Sequence, residues 1–407
     1  MIEKIMRAVK STNKKRGRNI TIGAIVGMLL SCSAVMGAEV IGLEIGKEHD
    51  AIIFKDKDGT SFTPGTENDP YLDNKWNIEK NTYTNNTTIS GKTTTNSDKG
   101  IGLKLSGDLK EVEFINNGLI LGKGKHDCFG IYSNSGSSIG TITNSGIILG
   151  TGIESPKYSG IYNENRNNIE SIINTGIISG VGNISGFGIF NDNEGIIDSN
   201  SCSIVSIINN GLISGISDHE GYGIKNWGSN IEITVNNGLI IGTGKGSGFG
   251  IFNTFDNIGS LINIGTIYGS VNAICNYYGT ITNAYNYGLL VSKDGLVVEN
   301  DRGTVDFIKS YGLAFKADGD KYTLDEDYSG EFGEVYSPKE GIVIGYEKDT
   351  EGEFDFNKPI TEKYTIVNAN FKGDLANITG TESLVLKNGI LFHDGSDTLG
   401  IKDFSSD

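Results

Sequence analysis

Ile207-Ile208-Asn209-Asn210-Gly211-Leu212-Ile213-Ser214-Gly215 is followed by Gly221-Tyr222-Gly223-Ile224-Lys225-Asn226, and the pair then recurs. The second copy reads Val235-Asn236-Asn237-Gly238-Leu239-Ile240-Ile241-Gly242, then Gly248-Phe249-Gly250-Ile251-Phe252-Asn253. A unit of this kind buries its apolar face only against its neighbours, so the repeat dictates the architecture. Working outward, the Asn-x-Gly-x-aliphatic-x-Gly frame starts at Asn116, Asn144, Asn174, Asn209, Asn236 and Asn263, and less cleanly at Asn286. The spacing is about 28 residues, inside the range of solenoid repeats. A Gly-Ile-aromatic-Asn segment accompanies it at Gly130 to Ser133, Gly160 to Asn163, Gly188 to Asn191 and Gly250 to Asn253, with Lys225 in the aromatic place of one copy. A fainter copy comes earlier, around Ile89, Gly91, Gly100 and Ile101.

Within a copy the apolar positions alternate: Ile207, Asn209, Gly211, Ile213 and Gly215 share one face. Period two, with β-branched and aromatic runs bounded by Asn and Gly, is strand-and-turn chemistry. Each repeat offers about three short strands, one coil of a parallel β-helix. Stacked Asn amides then donate to and accept from one another along the axis, which makes Asn116, Asn144, Asn174, Asn209, Asn236 and Asn263 a structural ladder. The column Ile120, Ile148, Ile178, Ile213, Ile240 and Ile267 is expected to fill the bore, and the glycines to take positive φ at the corners. Residues 39–84, with Pro64, Pro70 and Trp76, are expected to cap the first coil irregularly. The repeats fill 85–300, and the acidic 301–407 continues or caps the solenoid as a β-rich flank.

Residues 1–38 carry seven basic side chains against Glu3, then an apolar run from Ile20 to Leu30 too short to span a bilayer comfortably. This is the pattern of a signal peptide cut near Gly37 and Ala38; Cys32 offers a lipidated alternative. The full chain has a formal charge of −16, and the remainder after cleavage would be more acidic still. Such a body suits an exported protein and excludes phosphate-directed nucleic-acid binding.

Cys128, Cys202 and Cys275, an odd and widely spaced set, do not form a disulfide framework. Cys128 and Cys275 flank the Gly-Ile segments, where a small apolar residue packs. His126 and His219 occupy one repeat column three coils apart, about 14 Å at the spacing of stacked strands, so they do not share a metal. No metal site and no cofactor are expected. The aromatic column Tyr132, Tyr162, Phe190 and Phe252 is either core or, if it points outward, a binding stripe. Asp198 and Asn200, in the longest insertion (Asn193 to Ile204), are further binding candidates, because a loop projecting from a regular shaft commonly carries function. The close acid pairs are Asp192 with Glu194 and Asp218 with Glu220, read without matching acids beside them in neighbouring repeats. No catalytic residue is assigned.

The basic leader KKRGRNITIGAIVGMLLS and the INNGLI and GIYN repeats together resemble the passengers of Gram-negative autotransporters, the type V secreted proteins. The resemblance covers Met1 to about Asn300 and implies an all-β, right-handed parallel β-helix carried to the cell surface by a C-terminal outer-membrane barrel. Such passengers often serve adhesion or host contact, and hence virulence. No run of barrel-like strands is read here, so export would rest on a missing or separate barrel, with the product at the cell surface, in the outer membrane or secreted. The function expected is that of an adhesin or host-interaction structural protein, its partner a host-cell or matrix protein or a glycan. The alternative is a β-helical polysaccharide lyase or hydrolase.

Overall fold

The computed structural model describes residues 42–329, apart from 49–50, 57, 72, 94–98, 134–135, 154–156, 194–202, 306–307, 311, 319–320 and 326, and several strands between 346 and 406. Three parallel sheets wind around one axis, and no helix occurs among the described residues. One coil runs through Tyr158–Glu164 in the first sheet, Asn168–Asn174 in the second and Ile177–Gly182 in the third, before Ser185–Asp192 re-enters the first. Each strand pairs in parallel with its counterparts one coil before and after, as in Ile161↔Ile189, Ile172↔Ile207 and Ile178↔Ile213. The fold is a parallel β-helix.

Alternation sets what lies inside. Ile120, Ile148, Ile178, Ile213, Ile240 and Ile267 are at most 1% exposed and share one core with Ile131, Ile161, Ile189, Ile224 and Ile251 of the first sheet. The second sheet supplies Ile139, Ile169, Ile204 and Ile231, with Ile142, Ile172 and Ile207, to the same bore. Branched side chains stacked on copies of themselves fill it.

The corner after each second-sheet strand is held by amides. Nδ2 of Asn85, Asn116, Asn144, Asn174, Asn209, Asn236 and Asn263 donates to Oδ1 of the next coil's Asn at 2.7–2.8 Å, ending on Asn286. The same amides serve turn carbonyls, as Asn144 does for Gly146 O at 3.2 Å and Ile177 O at 3.0 Å. A buried polar column of this kind is satisfied within itself. A second ladder lies at the end of the first sheet, where Asn163, Asn191, Asn226, Asn253, Asn276 and Asn300 are linked at 2.8 Å.

The repeat glycines serve a different purpose from the one expected. Gly118, Gly146, Gly176, Gly211, Gly238 and Gly265 do not have positive φ. A Cβ at Gly211 would collide with the carbonyl oxygen of Gly176 one coil below, and one at Gly238 with that of Gly211. They are required for close backbone approach along the axis rather than for left-handed turns.

Strands reverse direction at both ends of the stack, in the first and second sheets before the first coil and in the third sheet after the last. Leu43–Glu48 lies parallel to Gly100–Ser106 but antiparallel to Ala51–Lys55, and Lys75–Asn77 runs antiparallel to Thr82–Asn85. Phe54 packs against Trp76 and Tyr83 there, with centroids 5.4 and 5.5 Å apart, plugging the bore. Beyond Asn286 the parallel stack continues through Val298–Asp301, Thr304–Val305, Ile308–Ser310 and Leu313–Asp318, then turns antiparallel into Lys321–Leu324. Farther on, Lys363–Val367, Ser383–Lys387 and Asp403–Ser406 form another parallel ladder.

Candidate interaction surface

The bore cluster contains Ile131, Ile161 and Ile189, so their neighbours Tyr132, Tyr162 and Phe190 lie on the outer side of the first sheet. They are nevertheless 6%, 2% and 1% exposed. With Phe129, Phe187, Tyr222 and Phe249 they build a second apolar cluster, Phe252 packing half-buried against it. Rings stack along the axis: Phe129 on Tyr162 at 4.5 Å, Phe187 on Phe190 at 4.6 Å and Phe187 on Tyr222 at 5.4 Å. The aromatic column therefore packs as core, one of the two sequence readings of Tyr132, Tyr162, Phe190 and Phe252, but in a second cluster on the outer side of the sheet rather than in the bore; the open binding stripe is corrected. Period two reports which side a residue faces, and burial on the outer side comes from the neighbouring rings and from cations.

Lys225 explains why a cation can stand in this column. Its side chain is 5% exposed, and its Nζ lies 4.3 Å from the Trp227 ring centroid, 4.8 Å from Tyr222 and 5.0 Å from Phe190. Ring faces solvate the ammonium where water does not, a contact worth up to about 2 kcal/mol when desolvated. Lys99 lies over Tyr132 at 4.9 Å, and Lys157 over Tyr162 at 5.6 Å.

Carboxylates join this layer. Tyr132 donates its phenol hydrogen to Glu164, and Tyr162 donates to Asp192 Oδ2 at 2.6 Å. Lys157 Nζ lies 3.2 Å from the same oxygen and Lys99 3.7 Å from Glu164. Burial first, and the facing carboxylates second, push both phenols far up, so they remain donors. Glu164 and Asp192 are direct partners across adjacent strands. Asp192 thus does have an acid beside it in the preceding coil, contrary to the sequence reading: Glu164 and Asp192 each directly follow the Asn that ends a Gly-Ile-aromatic-Asn segment.

Burial raises the Cys128 thiol to about 12 and, with Glu299 adding to it, the Cys275 thiol to about 12. Both are buried free thiols. His126 is half-exposed, and His219 is exposed in the bend before Glu220–Trp227, three strands along the sheet. Among the described residues no group of three or more His, Cys, Asp and Glu is placed to hold a metal. Gly37, Ala38, Cys32, Asp198 and Asn200 lie outside the described residues.

The open surface lies at a corner that no sequence reading singled out. Between the first and second sheets the chain turns through a left-handed residue: Gly107, Gly136, Arg166, Gly228, Phe255, Tyr278 and Arg302 have φ between 55° and 81°. Glycine accepts this without penalty, whereas side chains as large as Phe255 and Tyr278 cost about 1–2 kcal/mol each. Burial does not offset it, since Phe255 is 57% and Tyr278 39% exposed. The two rings lie parallel within 12° at 5.6 Å, and the Arg302 guanidinium sits 5.3 Å from the Tyr278 centroid. The sequence signal exists in retrospect: Gly228, Phe255, Tyr278 and Arg302 each stand two residues after an Asn of the second ladder.

The opposite corner of the second sheet changes in the same coils. Asn117 donates to Asn86 at 3.0 Å and Asn237 to Asn210 at 2.8 Å, a solvent-facing polar row that gives way to exposed Ile264 and Tyr287. In comparisons with protein-family profiles, curated proteins and solved structures, nothing matches this chain.

Proposed function

We propose that the protein is an exported, autotransporter-passenger-like β-helix that works by contact, as an adhesin or host-interaction shaft at the cell surface or released from it. The observation that carries this reading is the division between uniform inner columns and a variable outer surface, where exposed rings are held on costly backbone away from the core. The N-terminal basic and apolar stretch of the sequence supports export. The test is attachment of the purified body, residues 39–407, to host cells and immobilised matrix, together with reducing-sugar release from polysaccharides. Saturable attachment without new reducing ends is expected; sustained sugar release would replace this reading with the enzymatic one.

A polysaccharide lyase or hydrolase is the second reading, favoured by one observation: Glu164 and Asp192 are adjacent carboxylates, each beside a tyrosine and a lysine. Against it, Asp192 is nearly sealed from solvent, 2% exposed, and accepts the Tyr162 hydrogen bond.

A further inference from the structure

We infer that the outer face of the strand Thr280–Asn286, between Tyr278 and Tyr287, is a binding track for a neutral oligosaccharide. This rests on the contact reading above and names the ligand class and its place. Tyr278 and Tyr287 stand at the two ends of the strand, 39% and 43% exposed, with Phe255 stacked on Tyr278 one coil away. The seven extended residues Thr280–Asn286 lie between them, roughly 23 Å, room for several sugars in line. Between them Ile281, Ala284 and Asn286 face inward, leaving Thr280, Thr282, Asn283 and Tyr285 on the outside. Ser260 and Asn257 of the neighbouring strand lie beside this row, Ser260 in register with Asn283 and Asn257 accepting from Thr282 at 3.1 Å.

Aromatic faces and edges separated by hydroxyl and amide groups match a sugar chain, which presents apolar C–H patches and hydroxyls by turns. A protein partner would call for a continuous apolar centre with a polar rim, and here the polar groups are in the middle. Polyanions, whether nucleic acid or uronic-acid polymers, are opposed by a chain of net charge −16 and by Asp301 beside Arg302. Strain points the same way. Three other coils place glycine at this corner, whereas Phe255 and Tyr278 keep large exposed rings there.

The experiment is calorimetric titration of the purified body with cellohexaose, chitohexaose, maltohexaose and, as the anionic comparison, hexagalacturonate. At least one neutral hexasaccharide should bind with a Kd below about 1 mM. The double variant Phe255→Gly/Tyr278→Gly restores the residue used in other coils, and Tyr287→Asn, made separately, copies the Asn237 of an earlier coil. Each should weaken that binding about tenfold or more with the melting temperature held. Failure of every neutral hexasaccharide to bind at about 5 mM, tighter binding of hexagalacturonate, or unchanged affinity in both variants would overturn the inference. Host-cell attachment of the same proteins separates the two levels. Attachment that persists in variants unable to bind sugar leaves the contact reading standing and removes this site from it. A wild-type protein that binds a hexasaccharide but attaches to no host surface keeps the site and removes the host-contact reading.

Discussion

Two corners bound the second sheet, and they obey different rules. At the corner after each second-sheet strand the same side chain appears coil after coil, Asn85 through Asn286, each amide bonded to the next. At the corner before it, just beyond the second ladder, a left-handed backbone recurs while the side chain ranges from Gly107 and Gly228 to Arg166, Phe255 and Tyr278. The first corner is buried, so a substitution there strands hydrogen-bonding groups; the second faces water, so many side chains are admitted there. Constancy therefore marks what holds the rod together, and variation marks what the rod shows to its surroundings.

Four measurements would break or sharpen this contrast. The largest effect belongs to the bore: Ile213→Ala, at a fully buried position, should lower unfolding free energy by about 2–5 kcal/mol in denaturant titration. Asn209→Ala should follow, at about 2–3 kcal/mol, because Asn236 Oδ1 loses its donor and the turn loses the amide. A cost under about 0.5 kcal/mol would mean the amides align without supporting one another. Ser133→Asn tests the second ladder from the other direction. Ser133 is in register with Asn163, and its hydroxyl is buried without a hydrogen-bond partner among the described residues. An added rung there should raise stability by about 1 kcal/mol, read as a higher denaturation midpoint. The smallest change is expected for Phe255→Gly, where released strain and lost stacking on Tyr278 offset each other to within about 1 kcal/mol.

Alkali probes the buried layer as a whole. Cys128 and Cys275 hold their protons up to about 12 in the folded state, and Tyr132, Tyr162 and Tyr222 are raised as well. The unfolded chain releases those protons first, from about pH 9 for thiols and about 10 for phenols. The stability they contribute is thus complete below pH 9 and is lost as pH rises toward 12. Circular dichroism across that range should show unfolding, preceded by little thiol reactivity at pH 8.

The architecture was legible because its cause recurs. Asn116 to Asn263 and Ile120 to Ile267 occupy fixed places in a repeating frame, and alternation assigns their side of the strand. The second ladder, Asn163 to Asn300, stood in the same motif and could have been read by the same argument. What alternation does not report is how deep the outer side lies. Tyr162 and Phe190 were open to two readings because their covering by stacked rings, Lys157 and Lys225 depends on neighbours brought together only by winding. The left-handed corner has no residue type of its own, since backbone conformation recurs there while chemistry does not; its signal is position, two residues after Asn226, Asn253, Asn276 and Asn300.

The reversed strands at the two ends have a consequence for solution behaviour. A stack of like-directed strands is a template, and a bare final rung would accept the first rung of another molecule and grow a filament. Lys75–Asn77 before the first coil of the second sheet and Lys321–Leu324 in the third sheet run against the direction of the stack, so at these two edges a second rod arriving head to tail meets a strand pointing the wrong way. These hairpins blunt the template in one sheet at each end, so that strand direction opposes head-to-tail addition of further coils there.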